Sequence, residues 1–237
     1  MKPSKIRTLT CAIAMAALWL GTPGAKASDS TSLAPEVVLG RMRARQFGLM
    51  TLKARIEQTK AYPQLGIEDP VESGLFRLQR DGKKGTRVRI EIQVPDTRIL
   101  IVSGGRYQLY QPRLRQAIEG QLVGTGPKGL FSGVLSGSPE ALVQLERDYV
   151  VEGAGRSDLS GRPAYELKFT AKDGAEVYCR EIELAVDAEL FLPVRQTCRE
   201  ANDSRVTFSL SELEIDTELE KGLFELDLPK GVERVRS

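Results

Sequence analysis

Apolar residues alternate with polar ones over most of this chain, and this pattern constrains its fold more than any other feature. Residues 87–94 read RVRIEIQV, with an aliphatic side chain at every second position. The same spacing recurs at 52–56, 165–169, 182–186 and 206–210. Because successive side chains of a strand point to opposite faces, each segment is predicted to be a strand with one buried and one solvated face.

Two segments interrupt the alternation with helical spacing. The first is predicted to run from Pro35 to about Gly48, with Pro35 at the first helical position and apolar residues three and four apart behind it. The second is predicted to begin at Ser138, which would cap it, followed by Pro139. With strands before and after both segments, the pattern predicts an α+β protein built on one long antiparallel sheet.

Residues 1–27 have the three parts of a secretory signal peptide. A basic start precedes an apolar run at 9–20, and Ala25 and Ala27 supply small side chains for cleavage after Ala27. A membrane anchor is the alternative, but such a run rises only about 18 Å as a helix, against a hydrocarbon core of roughly 30 Å. We therefore expect an exported protein with a single mature domain, residues 28–237. Cleavage also leaves a slight excess of acidic residues, so the charge gives no basis for binding nucleic acid.

The sequence contains no histidine, which excludes Ser-His-Asp and Cys-His catalysis and the commonest zinc ligand. We expect no catalytic residue, no metal site and no cofactor. The best alternative is a pair of carboxylates, Glu181 and Glu183. These alternate with Ile182 and Leu184, however, as the solvated face of a strand does.

Cys179 and Cys198 are the two cysteines that remain after cleavage, and an even pair in an oxidising compartment predicts a disulfide. They lie symmetrically about a turn at 188–189, so they could face each other on neighbouring strands. The apolar residues 190–192 beside this turn allow two interpretations. They could contact a membrane or partner, or the tip of the hairpin could fold back under a covering element.

Residues 124–129 read GTGPKG and match the G-x-G-x-x-G pattern of dinucleotide-binding proteins. That function needs a strand, a glycine turn and a long helix in a parallel unit. Here the surrounding strands are predicted to form hairpins, and Gly133 and Gly137 interrupt the segment that follows. We interpret the motif as a loop that leads into a short apolar lid. The predicted lid residues are Leu130, Phe131, Val134, Leu135 and Leu142.

Several stretches, taken in order, resemble one family. They are LKARIEQ (52–58), GLFRLQRDGKKGTRVRIEIQVPDTRILIVSGGRYQLYQPRLRQ (74–116), AYELKF (164–169), IELAVDAELFLPVRQT (182–197) and FELDLPKGVERV (224–235). Together they resemble the LolA-like periplasmic carriers of outer-membrane lipoproteins. The resemblance implies a strongly curved, incomplete antiparallel β-barrel whose concave face is covered by helices.

The resemblance also implies a function and its partners. In this family an apolar cavity between sheet and helices holds the acyl chains of a lipoprotein. An inner-membrane release complex and an outer-membrane acceptor are then the expected partners of a periplasmic monomer. The alternatives are a carrier of another amphiphile and an RseB-like regulator on the same fold. Such regulators have a further C-terminal domain, whereas this chain ends with the barrel, which favours the carrier.

The predicted cavity residues are those that would point to the inner face of the sheet. They are Val88, Ile90, Ile92, Ile99, Ile101, Tyr107, Leu109, Tyr165, Leu167 and Phe169. Which alternate residues of 99–102 point inward stays open at this point, because all four of them are apolar. For each residue, a place in an ordinary hydrophobic core is the alternative.

Overall fold

The computed structural model describes residues 33–82, 85–121, 139–153 and 155–236. Two α-helices, α1 (Pro35–Gly48) and α2 (Pro139–Asp148), and a short 3-10 helix (Pro112–Leu114) lie in this part of the chain. The strands are β1 (Thr51–Tyr62), β2 (Ile67–Glu68), β3 (Glu72–Asp81), β4 (Gly85–Val94), β5 (Arg98–Ser103), β6 (Arg106–Gln111), β7 (Gln116–Gln121), β8 (Tyr149–Glu152), β9 (Arg156–Leu159), β10 (Arg162–Ala171), β11 (Cys179–Asp187), β12 (Pro193–Glu200), β13 (Arg205–Ile215) and β14 (Glu233–Arg236).

These strands form one 14-stranded sheet in the order β14-β7-β6-β5-β4-β3-β1-β13-β12-β11-β10-β8, with β2 paired to β1 and β9 paired to β10. Among these strands, every pairing is antiparallel except that of β14 with β7, which is parallel. The sheet is large, curved and unclosed, which agrees with the predicted incomplete barrel. No helix among the described residues has the length and apolar character needed to span a bilayer.

The strand registers align the apolar positions on one face across the whole sheet, which we call the core face. Phe76 lies opposite Ile90, Ile90 opposite Leu100, and Leu100 opposite Leu109. The same face continues on the far side of the sheet, where Leu167 lies opposite Leu184. Because directly paired residues share a face, the alternation seen in the sequence produces one continuous apolar surface.

The helix α1 forms where the sequence predicts it. Pro35 occupies the first turn, where its missing N–H leaves no hydrogen bond unmade, and Val38, Leu39 and Met42 form the buried stripe. An ion pair from Arg43 to Glu146, with atoms 2.7 Å apart, joins α1 to α2. Leu142 and Leu145 of α2 are buried on the inner side.

A β-bulge and a disulfide fix the register of the central and distal strands. The bulge falls between Lys53 and Arg55 of β1, opposite the stretch of β13 that contains Glu212. Glu212 has a positive φ of 51°. The sequence predicts a bulge here, because Leu210 and Leu213 are three positions apart and so break the alternation of apolar residues. The predicted bridge between Cys179 and Cys198 is present and joins β11 to β12, with Cα atoms 5.4 Å apart.

The C-terminal segment crosses the opposite face of the sheet, which the sequence alternation does not reveal. The guanidinium of Arg89 donates to the carbonyl of Leu223 at 3.1 Å, and that of Arg87 lies 4.9 Å from the ring centre of Phe224. Both arginines belong to the solvated side of β4. The segment ends as β14 against β7, where the amide of Glu233 donates to the carbonyl of Arg115 at 2.9 Å.

This crossing coincides with a buried patch on the outer face. Ile101 lies directly opposite Arg89 in the β4–β5 register and is only 3 % exposed. Ile99 is paired with Glu91, so it lies on the same outer face. The prediction that Ile99 and Ile101 point inward with Ile90 therefore differs from the structure, which places Leu100 and Val102 there instead.

Candidate ligand-binding site

The core face carries two groups of buried side chains. The first, which we call the helix-covered cluster, combines both helices with β10, β11 and β12. Its buried members are Val38, Leu39, Met42, Leu142, Leu145, Tyr149, Tyr165, Leu167, Phe169, Cys179, Ile182, Leu184, Val186 and Cys198. Helix side chains lie against strand side chains here, as in the core of an ordinary two-layer domain.

One buried hydrogen bond ties the end of α2 to the sheet within the helix-covered cluster. The hydroxyl of Tyr149, just after α2, donates to the carbonyl of Cys179 at 2.7 Å. Burial of this tyrosine raises its pKa to about 12. The bond ties the end of α2 to the first residue of β11, next to the disulfide.

The second group, which we call the strand cluster, belongs to the other half of the sheet. Its buried members are Leu49, Leu52, Ala54, Ile56, Phe76, Leu78, Val88, Ile90, Ile92, Leu100, Leu109, Leu192, Val206, Phe208 and Leu210. Among these, only Leu49 and Leu192 lie outside strands, one just after α1 and the other just before β12. Within the described residues, no side chain of α1 or α2 belongs to this cluster.

The turn between β11 and β12 bridges the two clusters. Asp187 is buried, and its Oδ1 accepts hydrogen bonds from the amides of Glu189 and Leu190 at 3.0 and 2.7 Å. Its Oδ2 pairs with Arg162 at 2.7 Å. These contacts hold the tip folded over the core face, so Leu190 packs against the strand cluster and Phe191 against the helix-covered cluster.

The position of Phe191 is unusual for an aromatic residue. Its φ of 51° lies in the left-handed region that residues with a Cβ rarely adopt. Its ring stacks on that of Tyr165 with centres 6.0 Å apart, and the guanidinium of Arg41 lies 5.0 Å from its centre. A strained backbone held by defined contacts is typical of functional positions.

A groove of about 490 Å³ opens between α1 and this tip. Its lining residues are Arg41, Ala44, Arg45, Glu189, Leu190 and Phe191. Since Leu190 and Phe191 each contact a different cluster, the groove lies at the junction of the two halves of the core face. Its lining combines an apolar floor with charged side chains, as small-molecule sites commonly do.

Buried polar atoms of α1 have no hydrogen-bond partner. The side-chain amide nitrogen and oxygen of Gln46 have no hydrogen bond, and Gln46 is fully buried. The Nε of Arg45 is likewise buried and unpaired. Such groups normally find partners in native structures, so each one here requires a physical explanation.

Eight of the ten predicted cavity residues lie on the core face. Val88, Ile90, Ile92 and Leu109 are buried in the strand cluster, and Tyr107 packs against it. Tyr165, Leu167 and Phe169 belong to the helix-covered cluster. Whether any of them contacts a ligand stays a prediction.

The remaining predicted site residues have different outcomes. Leu142 is buried in the helix-covered cluster. The other predicted lid residues, Leu130, Phe131, Val134 and Leu135, lie outside the described residues. Of the two interpretations of 190–192, the packing of Leu190 and Leu192 on the strand cluster favours the hairpin tip that folds back.

Sequence reasoning missed Arg41, Arg45 and Gln46. The signal for Gln46 was its spacing, four residues after Met42 on the buried stripe of α1, which places it on the same face. The arginines gave no such signal, because solvated arginines are common on an amphipathic helix.

Comparison with known proteins places the fold but gives no close relative. No family model matches the sequence, and no curated protein matches it. Among solved structures, MucB in complex with MucA(peri) matches with 14 % identity and a TM-score of 0.51, over 81 % of this chain and 59 % of MucB. An uncharacterized conserved protein from Thermus thermophilus matches with 14 % identity and a TM-score of 0.53, over 85 % of this chain and 98 % of that one. A LolA superfamily protein from Nitrosomonas europaea matches with 13 % identity and a TM-score of 0.39, over 82 % and 99 %.

The chain is built on one curved, open antiparallel sheet with few helices among the described residues, and it shares this fold with MucB and with the Thermus thermophilus protein. The resemblance found in the sequence is therefore a resemblance of fold. The chain spans only about 59 % of the MucB chain. Because identities this low show the fold alone, the function has to be argued from the site.

Proposed function

We propose that this protein is a periplasmic carrier that binds the acyl chains of a lipoprotein, or of a similar amphiphile, on the strand cluster and shuttles them toward the outer membrane. The observation that carries the proposal is the contrast between the clusters. One half of the core face is covered by two helices, whereas in the other half the described residues supply only Leu49, Leu192 and the partly buried Leu190 from outside the strands. The members of the strand cluster are buried in this structure, so an acyl chain would bind there after this half of the core face opens.

The energy of such binding follows from the apolar area. Each buried methylene contributes roughly 0.8 kcal/mol, so one chain of a dozen carbons gives several kcal/mol before the cost of association is subtracted. The groove at the junction of the clusters offers a route onto the strand cluster, because Leu190 lines the groove and also packs on that cluster. The proposal is of a binding protein without catalytic activity.

The proposed location and partners follow from the sequence and the resemblance. The signal-peptide pattern of residues 1–27 supports export. A carrier that moves acylated cargo between two membranes needs a donor complex at the inner membrane and an acceptor at the outer membrane. We propose these two partner classes for this chain.

A regulator that binds a partner protein is the second candidate. The match to MucB favours it, because that protein was solved in complex with MucA(peri). A carrier would co-purify with an acylated protein or free lipid, whereas a regulator of this kind would co-purify with an unacylated protein segment. Native mass spectrometry of the protein isolated from its own envelope separates these outcomes.

The direct test uses a fluorescent fatty acid, 11-(dansylamino)undecanoic acid, and two neighbouring substitutions on β5. Val102 packs against the strand cluster, whereas Ser103 is the next residue and points to the other face. We expect saturable binding by the wild type and about tenfold or weaker affinity for Val102→Glu, because a carboxylate there would be buried under the chain. The matched control Ser103→Glu should bind within about twofold of the wild type.

Thermal melts of both variants establish that they are folded. A wild type without saturable binding would refute the carrier. An equal loss of affinity in both folded variants would place the acyl chain elsewhere on the molecule.

A further inference from the structure

Two arginines of the groove lack the acidic partner that their neighbour has. Arg41, Arg43 and Arg45 follow one another at alternate positions of α1, and among the described residues only Arg43 forms an ion pair, with Glu146. Arg41 and Arg45 are four residues apart, so they share a face of the helix and both line the groove. Within the described part of the chain, neither forms an ion pair with a carboxylate.

Glu189 also lines the groove and contributes one negative charge. It is exposed at the hairpin tip, and the described contacts include no ion pair from Glu189 to either arginine. Two guanidinium groups therefore face one carboxylate, and the groove keeps an excess of positive charge.

A buried polar atom of Arg45 points to a missing hydrogen-bond partner. The Nε of Arg45 is a donor, and it has no acceptor. A buried polar group without a partner costs about 1–3 kcal/mol, more when it is charged. A ligand that accepts hydrogen bonds at this position would recover that cost.

The apolar side of the groove sets the second requirement on the ligand. Leu190 packs on the strand cluster and Phe191 on the helix-covered cluster, so a molecule in the groove would have its apolar portion beside the core face. A small free anion would satisfy the arginines and leave this apolar lining unused.

We propose that the groove recognises the anionic headgroup, a carboxylate or a phosphate, of an acyl amphiphile. Arg41 and Arg45 bind the anion, and the acyl chain continues past Leu190 onto the strand cluster. The proposal deepens the carrier function and rests on it. Guanidinium groups suit this role because they form paired, charge-assisted hydrogen bonds with carboxylate and phosphate oxygens.

The test compares a charged twelve-carbon ligand with its uncharged ester, and uses acetate as an anion without an acyl chain. Dodecanoate, methyl dodecanoate and acetate are each titrated, below micelle concentrations, as competitors of the bound dansyl fatty acid. For the wild type we expect dodecanoate to bind about tenfold more tightly than its methyl ester, and acetate not to compete at the same concentration.

Variants then locate the effect. In the double variant Arg41→Gln/Arg45→Gln, the preference for the acid over the ester should fall to about twofold or less. The matched control Arg106→Gln removes the same charge from the exposed β5–β6 turn, outside the groove, and should keep the wild-type preference.

The outcomes separate this inference from the carrier function. Equal binding of acid and ester by the wild type, or an unchanged preference in a folded double variant, would overturn the headgroup site and leave the carrier intact. Competition by acetate equal to that of dodecanoate would show a free-anion site and overturn the coupling to an acyl chain. Failure of both twelve-carbon ligands to bind would overturn both proposals.

Discussion

The two halves of the core face are made from the same kind of strand and differ in what lies on them. In the helix-covered cluster, α1 and α2 lie on β10, β11 and β12, and the contact is reinforced by the disulfide, by the Tyr149 hydroxyl and by the Arg43–Glu146 pair. In the strand cluster, nearly every described member comes from the sheet itself. The comparison shows that one sheet has a core with helices on it at one side and a core built almost entirely from strand residues at the other.

In the proposed carrier, the helix-covered half is the stable anchor and the strand cluster binds the acyl chain. A change that weakens the anchor should reduce stability and leave acyl binding nearly intact. A change that distorts the strand cluster should reduce both. The following predictions use this difference.

The largest expected effect is loss of the disulfide in the helix-covered half. Replacing Cys179 and Cys198 together by serine should lower the free energy of unfolding by about 3 kcal/mol, as expected for a bridge that closes a loop of this size. Chemical denaturation of the variant and the wild type measures the loss. At a temperature where both are folded, affinity for the dansyl fatty acid should be unchanged, and a large loss of affinity would contradict the separation of the halves.

A buried glycine of β3, two residues before Phe76 of the strand cluster, gives the next test. A Cβ on Gly74 would lie 1.9 Å from the carbonyl oxygen of Glu91, because the register shift at the start of β3 brings the two backbones together. Gly74→Ala should therefore destabilise the protein by roughly 2 kcal/mol or more and also weaken acyl binding.

The matched control for Gly74→Ala is Gly40→Ala in α1. A Cβ on Gly40 meets nothing within 4 Å, and alanine favours the helix by about 0.5–1 kcal/mol. This control should be slightly more stable than the wild type in the same denaturation assay. If Gly74→Ala melts and binds like the wild type, the close approach of β3 to β4 is not maintained in solution.

The smallest expected effect is an alkaline transition in the helix-covered half. Burial raises the pKa of Tyr149 to about 12, so the folded state resists loss of this proton more than the unfolded state, whose tyrosine titrates near 10. The stabilising contribution is thus complete below about pH 10 and is lost as the pH rises toward 12.

Tyr149→Phe tests this contribution. At neutral pH it should cost about 1 kcal/mol through the lost hydrogen bond to Cys179. Between pH 10 and 12 its stability should fall less steeply than that of the wild type. If the free energy of unfolding falls with pH equally steeply in the two proteins, this tyrosine does not titrate on unfolding.

The sequence alone was sufficient for most of the strands and for α1. Residues 87–94 alternate so regularly that only one face of β4 could be buried, and Pro35 with its apolar stripe marks the first helix. The pairing of Cys179 with Cys198 also followed, because the two flank one turn. These are local properties, and local spacing determines them.

The residues of β5 that point to the core face could have been derived from the sequence, but Ile99 and Ile101 were predicted instead. A two-residue Gly104–Gly105 turn pairs Val102 with Tyr107. Once Tyr107 was predicted to face inward, the same turn required Val102 and Leu100 to face inward as well. The pairing across the hairpin therefore predicts which residues of 99–102 face inward, whereas their hydrophobicity does not.

Other features depend on contacts between distant parts of the chain. The parallel pairing of β14 with β7 and the crossing of the outer face near Arg89 join residues more than a hundred positions apart. The groove combines residues of α1 with a hairpin tip near residue 190. No spacing rule connects these segments, so the candidate site became visible only in the structure.

The most direct test of the central claim is to locate a bound acyl chain on the sheet by NMR. Protein with labelled Ile, Leu and Val methyl groups is saturated with dodecanoate, and intermolecular NOEs from the acyl methylenes are recorded. The account predicts NOEs to Ile90, Leu100 and Val102 on the core face. NOEs confined to outer-face methyls such as those of Ile99 and Ile101, or no NOEs in a saturated sample, would contradict it.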